Sequence, residues 1–388
     1  MELLETLNRT IKLAMDEGRV GSYEEAQSLF RSFRLSIHVR PGFSASPADE
    51  AAVLTLLNAA PKTFLGGVEL LGPLHERCTM AWFSGKSLGQ AAEHFGVTTA
   101  SVSSDDVPIV FVGDGLAKGG AFWLGVSTRS DGFVLSPDSA AAGSQENAVE
   151  VGVAAAGAAL NEAFQYAYRK APLAGQREVH WKLPGGTNQT EAGSLWLIGL
   201  GHLGQAFLWT AALAGGNRLP RFMRLTDYDQ VSWSSLSTCL LAEARHVGRK
   251  KVDAVADQME SLGVHIQRDY NRLDLDAGTV QSAQDQVVVA VDNIVLRRSL
   301  DRLHGARVLE AGIGGGVDAF TRIQLHAFPG PRQARDIWVG DDSRAARAAD
   351  VSGPAYQALL ANSGDQCGTA LVAGLSVATP FVGAFAGA

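Results

Sequence analysis

Between Ser194 and Trp209 the chain reads SLWLIGLGHLGQAFLW, an apolar run broken by three glycines spaced G-x-G-x-x-G. The pattern predicts a strand, a tight turn and the start of a helix. Gly199 permits the turn, Gly201 lets the backbone approach a phosphate closely, and Gly204 lets helix and strand touch. The helix N-terminus beyond the turn offers free N–H groups and a positive dipole end to an anion. Such a turn predicts a nucleotide site without saying which nucleotide, and a tight turn with no ligand is the plain alternative. His202, inside the turn, reads as a solvent-facing filler, because the pattern asks only for the glycines around it.

The stretch that follows alternates. Strands are predicted at 195–200, 222–226, 287–291 and 307–311, and helices at 203–214, 250–261 and 294–303. That alternation specifies an α/β fold, a Rossmann-like and mostly parallel sheet covered on both faces. Upstream, residues 1 to about 45 read as amphipathic helix ending in a turn at Arg40-Pro41-Gly42, and 50–60 as a second helix. Ile109–Val112 and Phe122–Val126 read as strands, with a turn at Ser130-Asp131-Gly132, and Ala148–Tyr168 as a small-residue helix. A polar linker, Lys182 to Thr190, leads into the glycine turn. Both halves end in an Ala/Gly-rich segment, the second over 369–388, so the chain reads as two related halves, 1–190 and 191–388. Only the second keeps the glycine turn.

Composition narrows the functions. The 388 residues carry a net charge of −7, which argues against general nucleic-acid binding. Cys78, Cys239 and Cys367 are too few and scattered for a disulfide framework and form no CxxC pair, so no structural zinc site is expected and a reducing, cytoplasmic compartment fits. The nine histidines show no ligand spacing. The N-terminus has no signal-peptide core. Thr369–Ala388 is uncharged and long enough to span a bilayer, but its Gly, Ala, Ser and Thr content and Pro380 favour a buried, closely packed helix. The chain stops mid-pattern at GAFAGA and reads as continuing.

After the second predicted strand comes RLTDYDQVSWSSL, which puts Asp227 where an acid accepts hydrogen bonds from ribose hydroxyls, with Asp229 two residues on. A dinucleotide enzyme needs only the first; Asp229 on its own reads equally as a helix cap. The set LTDYDQVSWSSL, VGRKKVDAVADQM, VVVAVDNIVLRRSL, VLEAGIGGGVDAF and CGTALVAGLSVATPFVGAFAGA, in that order over 194–388, resembles the ubiquitin-activating and ThiF/MoeB superfamily. The resemblance implies ATP and Mg2+ as cofactors and a ubiquitin-like protein as partner. Its C-terminal carboxylate would be adenylated and then passed to a cysteine, with a ubiquitin-conjugating-type protein as the downstream acceptor. Gly248 and Lys251 match the family's G-x-x-K, making Lys251 the phosphate cation. Asp292 takes the place of the carboxylate for magnesium and phosphates, with Asn293 beside it and Arg297 on the helix. Cys367 takes the place of the thioester cysteine, and 328–366 that of the crossover loop. The first half then corresponds to a degenerate, inactive adenylation half. The Ala/Gly-rich sequence fits a bacterial source and, by analogy, a ubiquitination-like antiviral operon.

Two departures stand out. The family's Asn and Arg-Gln after the D-x-D are Ser235 and Thr238-Cys239 here, which removes an arginine from the phosphates. Arg245, Arg249, Arg31 and Arg34 are the candidates to replace it. The family's zinc CxxC pairs are also missing. Each residue has a bland reading too: Lys251 as a surface charge, Asp292-Asn293 as a helix cap, Cys367 as a small buried hydrophobe, as Cys78 and Cys239 are read. A nicotinamide-dependent dehydrogenase and a non-catalytic partner-binding module with a weakened nucleotide site are the rival functions.

Overall fold

The computed structural model describes residues 7–102, 107–117, 120, 122–182, 193–275, 278, 280–314, 317, 319–339 and 350–388. The chain divides into two compact units. One gathers Ser28–Gln189, Ala206–Gly216 and Thr379–Ala388; the other gathers Met1–Gln27, Thr190–Gln205 and Asn217–Ala378.

In the unit built around Ser28–Gln189, strands β1 (Leu35–Val39), β2 (Val68–Leu71), β3 (Thr98–Thr99), β4 (Ile109–Val112), β5 (Trp123–Arg129), β6 (Gly132–Ser136) and β7 (Val179–Lys182) form one sheet. Its order is β3-β2-β1-β4-β5-β6-β7, parallel from β3 through β5 and antiparallel at β6 and β7. Helix α3 (Pro47–Ala59) starts at Ser46, whose hydroxyl accepts from Asp49 N, with Pro47 opening the first turn. It packs on α5 (Val149–Phe164) so closely that a Cβ on Gly152 would lie 1.8 Å from the Ala48 carbonyl oxygen. A stripe of small residues lets two helix backbones meet, as the Ala/Gly-rich composition of Val149–Phe164 predicts.

In the other unit, β8 (Ser194–Ile198), β9 (Phe222–Thr226), β10 (His265–Asp269), β11 (Gln286–Val289), β12 (Arg307–Ile313) and β13 (Ile323–Phe328) run in the order β10-β9-β8-β11-β12-β13. All pairs are parallel except the last. Leu195–Ile198 and Val287–Val289 are buried, as strands covered on both faces must be. The two sheets share one ordering of their first six strands, third-second-first-fourth-fifth-sixth, with the sixth antiparallel. Each is a Rossmann-like α/β sheet, the second as the alternation over 195–311 predicts.

Several local expectations are corrected. Residues 1–45 are not one helical block: short helices α1 (Lys12–Asp16) and α2 (Tyr23–Phe30) are followed by strand β1, where Leu35, Ile37 and Val39 alternate along the chain. The sequence pattern does not predict strands β2, β3, β6, β7, β10 and β13; β6 is buried throughout, whereas the others are short or largely solvent-facing, β10 burying only Ile266 fully. Segment 369–388 is not one helix. Helix α12 (Gln366–Gly374) ends before Leu375, and α13 (Pro380–Gly387) restarts at Thr379, whose hydroxyl accepts from Val382 N. No described helix is long and apolar enough to cross a membrane. The expected crossover loop contains helices α10 (Ala334–Ile337) and α11 (Pro354–Ser363), while 340–349 lie outside the described residues. So do linker residues 183–190 and Gly315 and Gly316.

The turn after β1 differs from the one after β8. Gly42, at φ +86°, donates its N–H to Glu76 Oε2 at 2.9 Å; Ser44 donates its N–H and hydroxyl to Glu76 Oε1 at 3.3 and 2.9 Å. A side-chain carboxylate fills that turn.

Candidate nucleotide cleft

The glycine turn lies at the carboxyl end of β8, where strand order reverses between β8 and β11, the usual ligand position in such sheets. Gly199 has φ +93°, and a Cβ there would lie 2.6 Å from the Ala290 carbonyl oxygen. Gly204, in the first turn of α6 (His202–Ala214), could not carry a Cβ either, since it would lie 2.0 Å from the Gly199 oxygen. Gly201 is different. Its backbone is ordinary and a Cβ would meet nothing within 4 Å. Among the described residues nothing crowds that position, so the backbone there is open to close approach. Gln205, buried and unpredicted, braces the turn: its Nε2 donates to Leu200 O at 2.8 Å and its Oε1 accepts from Leu241 N at 3.1 Å.

Asp227 is nearly buried and holds the turn, accepting from Leu200 N at 2.7 Å and from Asp229 N at 2.8 Å. Asp229 is half-exposed and pairs with Lys251 Nζ at 2.9 Å. Lys251 opens helix α8 (Lys251–Glu260), and Gly248, at φ +85°, makes the turn before it by donating to Val231 O. Burial opposes the charge of Lys251, but the carboxylates of Asp227 and Asp229, with Cys239 adding, outweigh it, so its pKa lies above the ordinary lysine value. This lysine is a largely buried cation, not a surface one.

Asn293 and Asp292 divide their roles. The Asn293 side chain caps α9 (Ile294–Arg298), accepting from Val295 N at 2.9 Å and Leu296 N at 3.2 Å. Asp292 is exposed to the cleft and makes no hydrogen bond or ion pair among the described residues. Both line a cleft of about 390 Å³ together with Gly199, Gly201, Asp227, Asp229, Lys251 and Arg297. Gly204 is not in that wall; it packs the turn from behind.

An arginine outside the expected set lines the cleft. None of Arg31, Arg34, Arg245 and Arg249 lines the cleft. Arg34 sits near Glu69, Arg245 pairs with Glu243 and Arg249 with Asp257. Arg9 does line it, its Nε donating to Ser376 O at 2.8 Å and its backbone N–H to the Ser237 hydroxyl at 3.2 Å. Burial lowers the pKa of this guanidinium, with Asp292 and Cys239 opposing. No sequence signal marks Arg9; it reaches the cleft because residues 7–10 lie along the extended 375–378 segment, where Thr10 donates to Ala378 O.

Two further expectations are corrected. His202 is no solvent-facing filler: it lines the cleft, its Nε2 is buried without a partner among the described residues, and burial, with Arg9 and Lys251 nearby, pushes its pKa down to about 4. Cys239 is buried as expected but also lines the cleft, beside Ser235 and Thr238. Cys78 is buried, its thiol pushed up to about 12 by burial and by Glu50 and Glu76. Cys367 is exposed in the first turn of α12 and does not line the cleft. It is not the buried small hydrophobe of the bland reading.

The residues fit ATP as a bound anion. Gly201 leaves room at the turn, and Arg9, Lys251 and Arg297 stand around it. They also fit magnesium through Asp292. No group of three potential ligands occurs among the described residues, but magnesium takes one or two carboxylates and completes its shell from phosphates and water.

The unit thus defines a Rossmann-like α/β protein with a glycine turn at the switch point of its sheet. Residues 192–388 match the family described as the BilD C-terminal domain, and residues 34–183 the BilD N-terminal domain. The chain is 31% identical over 404 residues to the bacterial E1-like protein BilD of Collimonas sp. (strain OK412), covering 98% of this chain and 86% of that one. It belongs to the BilD family of bacterial E1-like proteins. Partial likenesses to solved structures include E. coli MccB with MccA-N7isoASN, at 18% identity and TM-score 0.26, over 31% of this chain and 36% of that one. E. coli tRNA N6-threonylcarbamoyladenosine dehydratase TcdA in complex with ATP shows 17% identity and TM-score 0.26, over 32% of this chain and 54% of that one. At that level they add nothing to the assignment.

Proposed function

We propose that this protein activates a ubiquitin-like carrier: it adenylates the carrier's C-terminal carboxylate with ATP, then takes the acyl group onto Cys367. The observation that carries the reading is the cleft itself, which joins an unobstructed glycine turn to three cations, Arg9, Lys251 and Arg297, and to one unpaired carboxylate, Asp292. A triphosphate needs that density of positive charge plus an acid for a divalent ion; hydride transfer uses neither. In the first step a carboxylate oxygen attacks the α-phosphorus, the bond from that phosphorus to the bridging oxygen breaks, and pyrophosphate leaves with the electron pair. Arg9 and Lys251 hold the phosphates, and Asp292 would hold magnesium, which offsets charge on the leaving group. In the second step the Cys367 sulfur attacks the acyl carbon, AMP leaves, and the thiol proton goes to solvent. Because Cys367 lies outside the cleft wall, this step requires the acyl group and α12 to approach one another.

A protein substrate is supported by the sheet edge. Pairs Leu309–Ala327, Ala311–Leu325 and Ile313–Ile323 share one face of β12 and β13, where Leu325 is 63% exposed. Ile313 also lines the cleft, so apolar surface runs on from it. The thioester-linked carrier would then pass to a ubiquitin-conjugating-type acceptor.

The test is pyrophosphate exchange into ATP with magnesium and a ubiquitin-like partner. Exchange should vanish in Asp292→Ala and survive in Cys367→Ala, while a thioester forms only when Cys367 is present. No exchange by the wild type, with NAD bound instead, would overturn the reading.

A further inference from the structure

His202 opens helix α6 from inside the glycine turn, and its ring Nε2 is buried with no partner among the described residues. A buried polar nitrogen left unpaired weakens a fold, because it has given up water and gained no hydrogen bond in exchange. The turn around it has its own groups matched. The Gly199 N–H donates to Thr226 O at 2.9 Å and the Leu200 N–H to Asp227 Oδ2 at 2.7 Å. The Gln205 side chain is engaged at both ends, by Leu200 O and by Leu241 N. The turn is therefore complete without the imidazole, and an apolar side chain in its place would leave no nitrogen unpaired.

What the ring faces gives it a use. His202 lines the cleft next to Gly201, and burial together with Arg9 and Lys251 keeps the ring neutral at pH 7. A neutral imidazole still carries one N–H. It can add a hydrogen bond to an anion without placing a third positive charge beside Arg9 and Lys251 in the empty cleft. The backbone N–H groups of Gly201 and His202 also bond nothing among the described residues. Two consecutive residues at the start of a 13-residue helix thus hold three open donors, where the helix dipole favours an anion. We infer that His202 donates its Nε2–H to an oxygen of the nucleotide phosphate seated at the Gly201 turn, so that this nitrogen is paired only when nucleotide is bound. The inference rests on the nucleotide reading of the cleft, not on the adenylation step.

The test sets affinity against stability in the full-length protein. ATP with magnesium, and adenosine separately, are titrated into wild type, His202→Leu and His202→Gln, and each empty protein is melted at pH 7. His202→Leu should melt at or above the wild type, because the unpaired nitrogen is gone, yet bind ATP about tenfold more weakly. Adenosine affinity should stay within about twofold. His202→Gln, which presents an N–H donor at a similar reach, should bind ATP within about threefold of wild type. Should His202→Leu melt well below the wild type, His202→Met, long and equally unable to donate, takes its place in the comparison. Unchanged ATP affinity without the donor, adenosine affinity falling in step with ATP, or a glutamine variant no better than leucine would each overturn the assignment. The expected losses without pyrophosphate exchange by the wild type would sink the adenylation reading and leave this contact standing; exchange with ATP affinity unchanged in His202→Leu would do the reverse.

Discussion

A methyl group on Gly204 would sit 2.0 Å from the Gly199 carbonyl oxygen, whereas one on Gly201 would meet no protein atom within 4 Å. The two alanine variants should therefore separate folding from binding. Gly204→Ala should destabilise the fold by roughly 1–3 kcal/mol, the range for overpacking. Gly201→Ala should melt within a few degrees of wild type and lose at least about tenfold in ATP affinity, because the methyl occupies ligand space. Melting curves and nucleotide titrations decide both. His202 gives a second prediction. Its folded pKa is about 4 against an ordinary 6.5, so as pH falls below 6.5 the unfolded chain takes up a proton that the folded one refuses. The contribution of the neutral ring is complete above pH 6.5 and is lost as pH falls from there to the folded value of about 4, on the order of 3 kcal/mol. His38 and His246 are depressed too, so the readout is the difference between wild type and His202→Gln in urea midpoint at pH 7 and pH 4.5. That difference should shrink in the variant; an unchanged pH slope would show the ring is hydrated.

At the scale of elements, helix α12 is weakly anchored. Only Thr369 and Val372 are buried along it, and its neighbours are Gly364 at φ +64° and the extended segment Leu375–Ala378. Few buried contacts between two hinge-like flanks mark a low-stability element. Alkylation of the native protein should label Cys367 well before Cys78 or Cys239; labelling of Cys239 at a comparable rate would mean the cleft opens. This element also shows where sequence reading stops. Central strands such as Val287–Val289 are legible because a parallel strand covered on both faces must be a continuous apolar run. The break at 375–379 was signalled by Thr379-Pro380, a cap followed by proline at the first helical position, but the uniform small-residue composition around it hid the signal. The glycine turn was legible from its spacing after a strand, and Lys251 and Asp292 only through the resemblance of their motifs to the ubiquitin-activating and ThiF/MoeB superfamily. Arg9 was not, since its place depends on a contact 367 residues away along the chain.

Over the whole molecule, the same strand order occurs twice, yet the turns after the two first strands are used differently. After β8, Asp227 accepts the Leu200 amide and Gly201 stays open; after β1, Glu76 takes Gly42 and Ser44 together. Removing that carboxylate in Glu76→Ala should lower the melting temperature, and millimolar inorganic phosphate should then restore part of the loss while leaving the wild type unmoved; equal responses would show that the turn has no affinity for anions. A tethered carboxylate faces those amides at an effective concentration of millimolar or more, whatever the cell contains. The first sheet thus carries a counter-ion of its own at the turn where the second sheet leaves Gly201 open. Under the proposed function, a rise or fall in cellular nucleotide acts on the second of these two turns, whose amides no side chain of the Glu76 kind occupies.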